Sequence, residues 1–228
     1  MAIKVLGVIG TPVKGETNTE ILCQAVLDGA KAQGDDVEVE IVCLAEMKII
    51  AGCTHCNWCL EKQTAGKFCS QNDDITKSVY PKVVEADALV LATPVYIGRL
   101  SWLMAAFIDR LRALFEGRYY GIRGPLGGVL MDKVVTGASV AWVRHGGVET
   151  ALMSLMQMAA ILGLIYVTPG FSFGAGGVSA APLGEYGAVR KDKFAMRNAH
   201  NTGARLVQVA RIVKAGKEAL RYTPAYVR

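Results

Sequence analysis

Four of the six cysteines in this chain lie within nineteen residues, from Gly52 to Ser70, in the stretch GCTHCNWCLEKQTAGKFCS. Two residues separate Cys53 from Cys56 and Cys56 from Cys59, and nine residues separate Cys59 from Cys69. Cysteines at such intervals hold an iron–sulfur cluster or a zinc ion, form disulfides, or act as a redox pair. Their spacing helps to decide among these chemistries.

The even spacing of the first three cysteines favours a [4Fe-4S] cluster. The two C-x2-C intervals match those of bacterial-type ferredoxins, in which the remaining ligand comes from elsewhere in the chain. A nine-residue loop can return Cys69 to the other three at a small entropic cost. The predicted ligands are Cys53, Cys56, Cys59 and Cys69. Zinc, with His55 as an additional ligand, remains an alternative, although zinc ligands usually come in two separated pairs. Disulfides or redox thiols are the third alternative.

A hydroxyl-rich loop, Thr11–Thr19, follows the first apolar run and leads into a helical pattern. The free backbone N–H groups and the dipole at the start of a helix favour a phosphate group. Thr11, Thr17, Asn18 and Thr19 add short polar side chains. The loop lacks the P-loop pattern and the GxGxxG pattern, which disfavours a nucleoside triphosphate or a Rossmann-type dinucleotide. It therefore predicts another phosphate ligand, unless these residues are only helix caps.

Two further loops could border a flat ring. Thr93–Gly98 offers backbone amides around a proline, together with the aromatic ring of Tyr96. Trp142–Gly147 contains two glycines, which permit close approach of the backbone. One phosphate loop and two ring-bordering loops together predict a mononucleotide flavin. Each loop by itself could equally be an ordinary turn between a strand and a helix.

Five apolar or alternating segments, separated by helical patterns, predict an α/β fold. The predicted strands are Ile3–Ile9, Val37–Ile41, Ala88–Ala92, Lys133–Ala141 and Leu164–Val167. Their alternation with helices predicts a doubly wound five-stranded parallel sheet with helices on both faces. The second strand alternates in polarity, which suits a sheet edge and favours the order 2-1-3-4-5.

Cap signals place the starts of several helices. Thr17 and Glu20 have the spacing of a capping box. Asp73 and Asp74 could cap a helix over residues 75–85, and Ser101 could cap the next one. A long final helix is expected over about residues 193–220.

The composition predicts one compact domain. The chain has 228 residues, 52% of them hydrophobic, and no linker or repeat interrupts it. We therefore expect a single domain over residues 1–228, with a cysteine-rich insertion after strand 2 at residues 50–72 and a glycine-rich loop at 174–187. The other two cysteines, Cys23 and Cys43, are expected to be structural thiols.

Charge and hydropathy limit the possible locations and partners of the protein. The amino-terminal apolar run is too short for a membrane span, and polar residues interrupt the later run Ala151–Tyr166. We therefore expect a cytoplasmic protein without membrane contact. The net charge is +5, with +8 from Arg190 onward and −3 before it. This basic end could bind an acidic partner or could simply be solvated. Arginine-rich runs interleaved with aromatic residues are missing, so nucleic acid is not expected.

Several segments of the sequence resemble a known family. VIGTPVKGETNTEIL, ATPVYIGRLSWLMAAFIDR and VRHGGVETAL look like the flavodoxin-fold reductases that bind FMN. The cysteine cluster after the second predicted strand narrows the resemblance to the iron–sulfur flavoproteins. The resemblance extends from about Ile3 to Val213 and includes the last helix.

This resemblance implies a flavodoxin-like sheet, bound FMN and a [4Fe-4S] cluster near the flavin. The residues that would hold the phosphate are Thr11, Pro12, Lys14, Thr17, Asn18 and Thr19. Lys14 would compensate for Val13, which stands where a basic residue is common, and Thr17 stands where glycine is common. The last cysteine gap is longer than usual. The residues that would border the isoalloxazine ring are Pro94, Val95, Tyr96, Ile97, Gly98, Trp142, Arg144, His145, Gly146 and Gly147. The resemblance also implies a homodimer or homotetramer.

The expected activity is electron transfer. A ferredoxin-like one-electron donor would reduce the cluster, and electrons would pass to FMN and on to a small-molecule or protein acceptor. No catalytic side chain is required, although His145 is a candidate acid–base group.

Two other functions remain open from the sequence. One is an NAD(P)H-dependent flavin or quinone reductase whose cysteine loop is clipped by zinc. The other is a non-catalytic binding module that responds to redox state.

Overall fold

A computed structural model of the chain describes residues 2–179 and 186–222. The strands are β1 (Ile3–Ile9), β2 (Val37–Cys43), β3 (Ala88–Tyr96), β4 (Arg99–Leu100), β5 (Val134–Ala141), β6 (Ile165–Tyr166) and β7 (Ala175–Val178). The α-helices are α1 (Asn18–Lys31), α2 (Trp58–Glu61), α3 (Tyr80–Glu85), α4 (Trp102–Arg110), α5 (Arg112–Phe115), α6 (Val148–Ile161) and α7 (Lys193–Ala219). A π-helical turn spans Ile75–Val79, and 3-10 turns span Leu44–Glu46 and Ala188–Lys191.

The main sheet has the order β2-β1-β3-β5-β6, and all its pairs are parallel. This confirms the predicted order 2-1-3-4-5, because β5 and β6 are the fourth and fifth predicted strands and β4 only forms a short hairpin with β3. The alternating strand β2 lies at the edge, and β5 is buried along its whole length. The doubly wound α/β fold is therefore confirmed.

The edge beyond β5 is split between two short strands. Ile165 of β6 pairs with Val134 at the start of β5, while β7 pairs with its last four residues, from Ala138 to Ala141. The expectation that residues 174–187 form only a loop is therefore wrong at β7. Glycine permits this pairing, because a Cβ atom on Gly174 would lie 2.5 Å from the carbonyl oxygen of Gly137. Residues 180–185 of the expected loop lie outside the described residues.

Two hydrophobic cores lie on the two faces of the sheet. Helices α1 and α7 cover one face, with Leu22 and Leu206 fully buried in its core. The π-helical turn and helices α3, α4 and α6 cover the other face, with Phe107 fully buried. The cysteine segment packs against this second core through Cys59 and Phe68.

Two predicted helix caps are confirmed and one predicted helix is modified. The hydroxyl of Thr17 accepts from the Glu20 N–H at 3.2 Å, and that of Ser101 accepts from the Met104 N–H at 3.1 Å. The helix predicted over residues 75–85 begins instead as a π-helical turn before α3. Pro81 accounts for the break, because it has no N–H group to continue the regular hydrogen-bond ladder.

No helix within residues 2–179 and 186–222 combines the length and the apolar composition required to cross a membrane.

Candidate flavin and cysteine sites

Contacts between side chains and backbone bring the three predicted flavin loops together. The Ser101 hydroxyl donates to the Gly10 carbonyl, and the Ser101 N–H donates to Thr93 Oγ1 at 3.0 Å. These bonds join the first loop to the end of β3. On the other side, a Cβ atom on Gly147 would lie only 2.7 Å from the Cα atom of Gly98. The three loops therefore meet at the carboxyl edge of the sheet, where open α/β sheets bind their ligands.

The first loop presents a run of unpaired backbone N–H groups at the start of α1. Among the described residues, no hydrogen bond uses the N–H groups of residues 14–19. Gly15 has a φ of +83°, and a Cβ atom added to it would have no other atom within 4 Å, so the loop is open on this side. Successive N–H groups at a helix N-terminus are the donor set that a phosphate requires. The loop therefore fits the phosphate group of FMN.

The polar side chains of the first loop mainly shape it. Thr11, Thr17 and Thr19 are buried, and Thr17 Oγ1 is engaged as the N-cap. Asn18 Oδ1 accepts from the Val189 N–H at 3.0 Å, which ties the loop to the segment before α7. Lys14 is exposed. It is therefore the cationic side chain that this loop can offer directly to a phosphate.

An acidic residue in the same loop is balanced by a partner. Glu16 Oε1 lies 2.6 Å from Arg190 Nη2 in an exposed ion pair. The hydrogen bond and the charge of Arg190 lower the pKa of Glu16. This arrangement reduces the repulsion that Glu16 would exert on a nearby anion.

The second loop is a tight β-hairpin between β3 and β4. Val95 pairs with Leu100 across the hairpin, and Ile97 and Gly98 form the turn with φ values of +50° and +72°. A β-branched residue rarely adopts this left-handed conformation, and the Ile97 side chain is 99% exposed. Backbone strain of this kind collects at ligand-binding sites. It supports the prediction that this turn borders the ring of a ligand.

The third loop combines an exposed aromatic residue with two charged or ionisable ones. Trp142 is 64% exposed, and Arg144 and His145 are also exposed, with His145 at a φ of +57°. Beside this loop lies a cavity of about 430 Å³ that Arg144, His145, Phe171 and Phe194 help to line. A planar molecule therefore has room next to the third loop.

Tight turns organise the cysteine segment. His55 and Asn57, on either side of Cys56, both have positive φ values, of +54° and +58°. Asn57 also precedes α2, so that Cys59 enters the first turn of a short helix. Asparagine and histidine tolerate this left-handed conformation better than most residues. The chain can therefore reverse direction between successive cysteines, as the C-x2-C intervals predict.

The nine residues between Cys59 and Cys69 form an ordered loop. Gln63 is buried and makes four hydrogen bonds: its Nε2 donates to the carbonyls of Phe68 and Ala113 at 2.8 Å, and its Oε1 accepts from two successive backbone N–H groups at 3.0 Å. The Phe68 ring stacks on Tyr120 at 4.4 Å. The long gap is thus anchored to the core, and this anchoring directs Cys69 back toward the other cysteines.

The four thiols differ in burial and in electrostatic surroundings. Cys53 and Cys56 are exposed, Cys69 is half-buried and Cys59 is buried. Burial raises the pKa of the Cys59 thiol, the Arg112 guanidinium opposes this, and the nearby Cys69 and Cys53 thiols reinforce it. A hydrogen bond with Ser70, at 3.1 Å, lowers the pKa of the Cys56 thiol.

The four thiols of the cysteine segment lie in one region of the structure. The Cys69 and Cys53 thiols contribute to the raised pKa of the Cys59 thiol, and the Cys56 thiol contacts Ser70, the residue next to Cys69. In the part of the chain that the structure describes, no three His, Cys, Asp or Glu side chains are gathered tightly enough to bind a metal ion. The exposed Cys53 and Cys56 side chains would therefore have to turn toward Cys59 and Cys69. The donor set of four soft thiols fits an iron–sulfur cluster or zinc.

A buried arginine holds both ends of the cysteine segment. Arg110, at the end of α4, forms a bidentate pair with Asp73, with distances of 2.7 and 3.0 Å, and both side chains are 1% exposed. Arg110 also donates to the Ala51 carbonyl and to Gln71 Oε1, each at 3.2 Å. Gln71 in turn donates to the Gly52 carbonyl at 2.8 Å. The segments before Cys53 and after Cys69 are therefore fixed to one guanidinium group.

A second arginine lies among the cysteines themselves. Arg112 Nη2 donates to Asn57 Oδ1 at 3.1 Å, and Arg112 Nε lies 2.6 Å from Glu116 Oε2. The Glu116 carboxylate and, to a smaller extent, the Cys53 thiol raise the pKa of the Arg112 guanidinium. This arginine therefore adds positive charge where the thiolates would gather.

These supporting residues are not predicted by the sequence patterns. Asp73 was expected only as a helix cap, and Arg110, Arg112 and Gln63 carried no assignment. A signal existed for Arg110, because it follows Phe107 by three residues and so lies on the apolar face of α4. A charged residue on such a face indicates a buried ion pair. No comparable signal exists for Gln63, whose four partners are set by the tertiary fold.

The fold and its loops define a class, the flavodoxin-like FMN-dependent oxidoreductases. The family described as NADPH-dependent FMN reductase matches residues 3–177. An iron–sulfur flavoprotein of Methanocaldococcus jannaschii is 32% identical over 215 residues, which cover 93% of this chain and 100% of that protein. One from Archaeoglobus fulgidus is 33% identical over 217 residues, with 93% and 98% covered. The chain therefore belongs to the iron–sulfur flavoproteins within the NADPH-dependent FMN reductase family.

Solved structures support the fold assignment. The crystal structure of RosB with a bound riboflavin-phosphate intermediate superimposes with a TM-score of 0.72 at 18% identity, covering 100% of this chain and 90% of that one. A WrbA-like flavodoxin from Agrobacterium tumefaciens gives a TM-score of 0.57 at 18% identity, with 93% and 99% covered. At these identities, the likeness concerns the fold alone.

Proposed function

We propose that this FMN-dependent oxidoreductase accepts electrons from a ferredoxin-like one-electron donor at a [4Fe-4S] cluster and passes them through FMN to a small-molecule or protein acceptor. The observation that carries the proposal is the anchoring of four cysteines in one loop by Arg110, Gln63 and Arg112. A loop fixed at both ends and in its middle keeps its four thiols in one region, where rotation of the Cys53 and Cys56 side chains would complete the ligand set of one multinuclear centre.

Each group has a distinct part in this proposal. A [4Fe-4S] cluster supplies one-electron chemistry, and FMN supplies storage of two electrons. The N–H groups of residues 14–19, with Lys14, bind the phosphate. The hairpin turn at Ile97 and Gly98, together with the third loop from Trp142 to Gly147, borders the isoalloxazine ring. The protein thus binds and orients, and no side-chain nucleophile is needed.

Helix α4 supports a short path between the two sites. Its N-cap, Ser101, is bonded to both Gly10 and Thr93 at the flavin loops, while Arg110 at its last turn holds the cysteine segment. Nine helical residues span about 13 Å. Both sites are therefore attached to one rigid element. The homodimer or homotetramer that the family resemblance implies stays a prediction.

The first experiment is purification without oxygen, followed by assays of iron, acid-labile sulfide, zinc and FMN per chain. About four irons and four sulfides with one FMN are expected, since that is the composition of one [4Fe-4S] centre beside one flavin. Replacing the buried ligand in Cys59→Ala is expected to remove the iron and sulfide while FMN remains. Cys43→Ala, which removes a half-buried thiol outside the cysteine segment, should keep both cofactors and serves as the matched control. Zinc with no sulfide in the wild-type protein would refute the cluster.

Arg112 is expected to raise the reduction potential of the cluster. Reduction adds negative charge, and the adjacent guanidinium stabilises that charge. Arg112→Gln should therefore lower the midpoint potential by tens of millivolts, where about 59 mV is a tenfold change for one electron. Glu116→Gln should raise it, because it removes the negative partner of Arg112. A redox titration followed by electron paramagnetic resonance measures both shifts, with Arg205→Gln on the opposite face as control. Equal potentials in all variants would contradict this role.

A second candidate function is direct reduction of FMN by NAD(P)H. The match to a family described as NADPH-dependent FMN reductase favours it. Rapid stoichiometric bleaching of the flavin by NADH or NADPH, with no requirement for the cysteines, would support this candidate over the ferredoxin-dependent one.

A further inference from the structure

The basic final helix is poorly placed to receive an electron donor for the cysteine site. Helix α7 packs with α1 on one face of the sheet, whereas the cysteine segment packs on the other face. A donor bound on α7 would therefore lie behind the sheet. The rate of electron transfer between proteins falls steeply with distance, so this position is unfavourable. A donor for the cysteine site should instead dock on the face that carries the cysteines.

Much of the positive charge near the carboxyl end is also already paired within the chain. Four basic residues of this region form ion pairs with acidic residues elsewhere: Arg190 with Glu16, Arg211 with Asp36, Lys214 with Asp87, and Lys217 with Asp132. The excess of +8 in the sequence therefore does not translate into an equally basic surface. This pairing weakens the idea that α7 attracts an acidic partner.

The cysteine face carries basic residues that are not paired in this way. Lys62, Lys67 and Lys77 are exposed, and no ion pair among the described residues involves them. Nearby, the Arg118 guanidinium donates to the Glu61 carbonyl, which leaves its charge uncompensated by a carboxylate. Of these residues, Lys67 and Lys77 line one surface depression, and these two lysines are called the basic rim.

A depression within this rim reaches one of the cysteines. Its volume is about 600 Å³, and Lys67, Lys77, Trp58, Phe68 and Cys69 help to line it. Trp58 and Cys69 are only partly buried, so the surface is apolar at its centre and basic at its edge. An apolar centre within a charged rim is the usual anatomy of a transient protein interface. Here the centre opens directly beside a predicted cluster ligand.

We propose that an acidic one-electron carrier protein docks on this basic rim, with its redox centre facing the depression at Cys69. The inference rests on the proposed function, because it names the surface through which the cysteine site receives its electrons. Complementary charge at an exposed rim mainly accelerates association and makes it sensitive to salt. The short distance to Cys69 then permits transfer of a single electron from the docked carrier, which is oxidised, to the centre held by the cysteines, which is reduced.

The test compares charge reversals on the two faces of the sheet. One double variant is Lys67→Glu with Lys77→Glu. The matched control is Arg197→Glu with Arg205→Glu, which reverses two exposed positive charges on α7. Reduction by a reduced acidic ferredoxin is followed by stopped-flow absorbance without oxygen at several ionic strengths. The methyl viologen radical, a small cationic reductant, is used in parallel because it needs no docking surface.

The rim variant is expected to be reduced by ferredoxin roughly tenfold more slowly at low ionic strength, with a weakened or inverted salt dependence. The α7 variant should stay within about twofold of the wild-type protein. Reduction by methyl viologen should not be slowed in either variant, and the iron content should be unchanged. An unchanged ferredoxin rate in the rim variant, or slowing confined to the α7 variant, would overturn the inference. A wild-type cluster that ferredoxin cannot reduce would overturn the proposed donor as well, and an absent cluster would overturn the proposed function itself.

Discussion

Replacing Arg110 by methionine is expected to lower the free energy of unfolding by about 3–5 kcal/mol. The substitution keeps most of the side-chain volume but leaves the Asp73 carboxylate buried without its cation. Burial opposes ionisation of Asp73, but hydrogen bonds from Arg110, the Ile50 N–H and the Thr76 N–H outweigh it and lower its pKa. Removing the guanidinium also frees the Ala51 carbonyl and Gln71, so both ends of the cysteine segment lose their anchor.

Urea denaturation followed by circular dichroism would measure this loss, with Arg211→Met as the matched control. Arg211 forms an ion pair with Asp36 in which both side chains are more than a third exposed, so its loss should cost only about 0–1 kcal/mol. If Arg110→Met does not fold, Arg110→Lys keeps the charge and should cost less while still loosening the cysteine segment to proteolysis. Equal stabilities of Arg110→Met and Arg211→Met would show that the buried pair has no special role.

The same pair predicts a stability change on the acid side. The lowered pKa of Asp73 means that its contribution is complete above its unfolded value of about 3.9 and is lost as the pH falls through the lower folded value. The wild-type protein should therefore lose more stability below about pH 4 than an Asp73→Asn variant does, since asparagine does not titrate in this range.

Local sequence patterns predicted most of the sheet because they report burial directly. The apolar runs at Ile3–Ile9 and Lys133–Ala141 and the alternation at Val37–Ile41 correspond to β1, β5 and β2. Each side chain in these strands faces either the core or the solvent. The period and polarity of the sequence are therefore sufficient to predict the strands. The cap residues Thr17 and Ser101 were also predictable, because their hydrogen bonds run to a neighbour three residues away.

Features that depend on distant partners could not be predicted in this way. Strand β7 pairs with β5 across more than thirty residues, and its sequence is mostly glycine and alanine, which carries no strand signal. The hairpin requires Ile97 to adopt the left-handed backbone conformation. Because β-branched residues rarely do so, the sequence does not predict a turn at this position. The positions of the loops along the chain indicated a flavin site. The bond from Ser101 to Gly10 that holds it together joins residues 91 positions apart in the sequence and emerges only from the fold.

Helix α4 shows how the same element can support both candidate sites. Its first residues are fixed at the flavin loops through Ser101, and its last residue holds the cysteine segment through Arg110. Because the two ends have different hydrogen-bond partners, a change at one site should leave the bonds at the other largely intact. Variants at the two sites therefore test them separately.

In the third predicted flavin loop, Gly147→Ala is expected to weaken FMN binding by roughly ten- to a hundredfold. The new Cβ atom would lie 2.7 Å from the Gly98 backbone. Overcoming a clash of about 1.4–2.8 kcal/mol on binding FMN would weaken the affinity ten- to a hundredfold, since 1.4 kcal/mol corresponds to a tenfold change. Relief of this clash would push the third loop away from the hairpin turn, so the two walls of the predicted ring site would separate.

Titration of the flavin-free protein with FMN, followed by quenching of flavin fluorescence, measures this change. Gly170→Ala is the matched control, because Gly170 also has a positive φ, of +83°, but has no atom within 4 Å of the added Cβ position. Both variants carry backbone strain, and only Gly147→Ala displaces a predicted flavin loop. A large loss of FMN affinity in Gly147→Ala alone would therefore locate the ring between the hairpin turn and the third loop. Similar affinities in the two variants would place the isoalloxazine ring elsewhere.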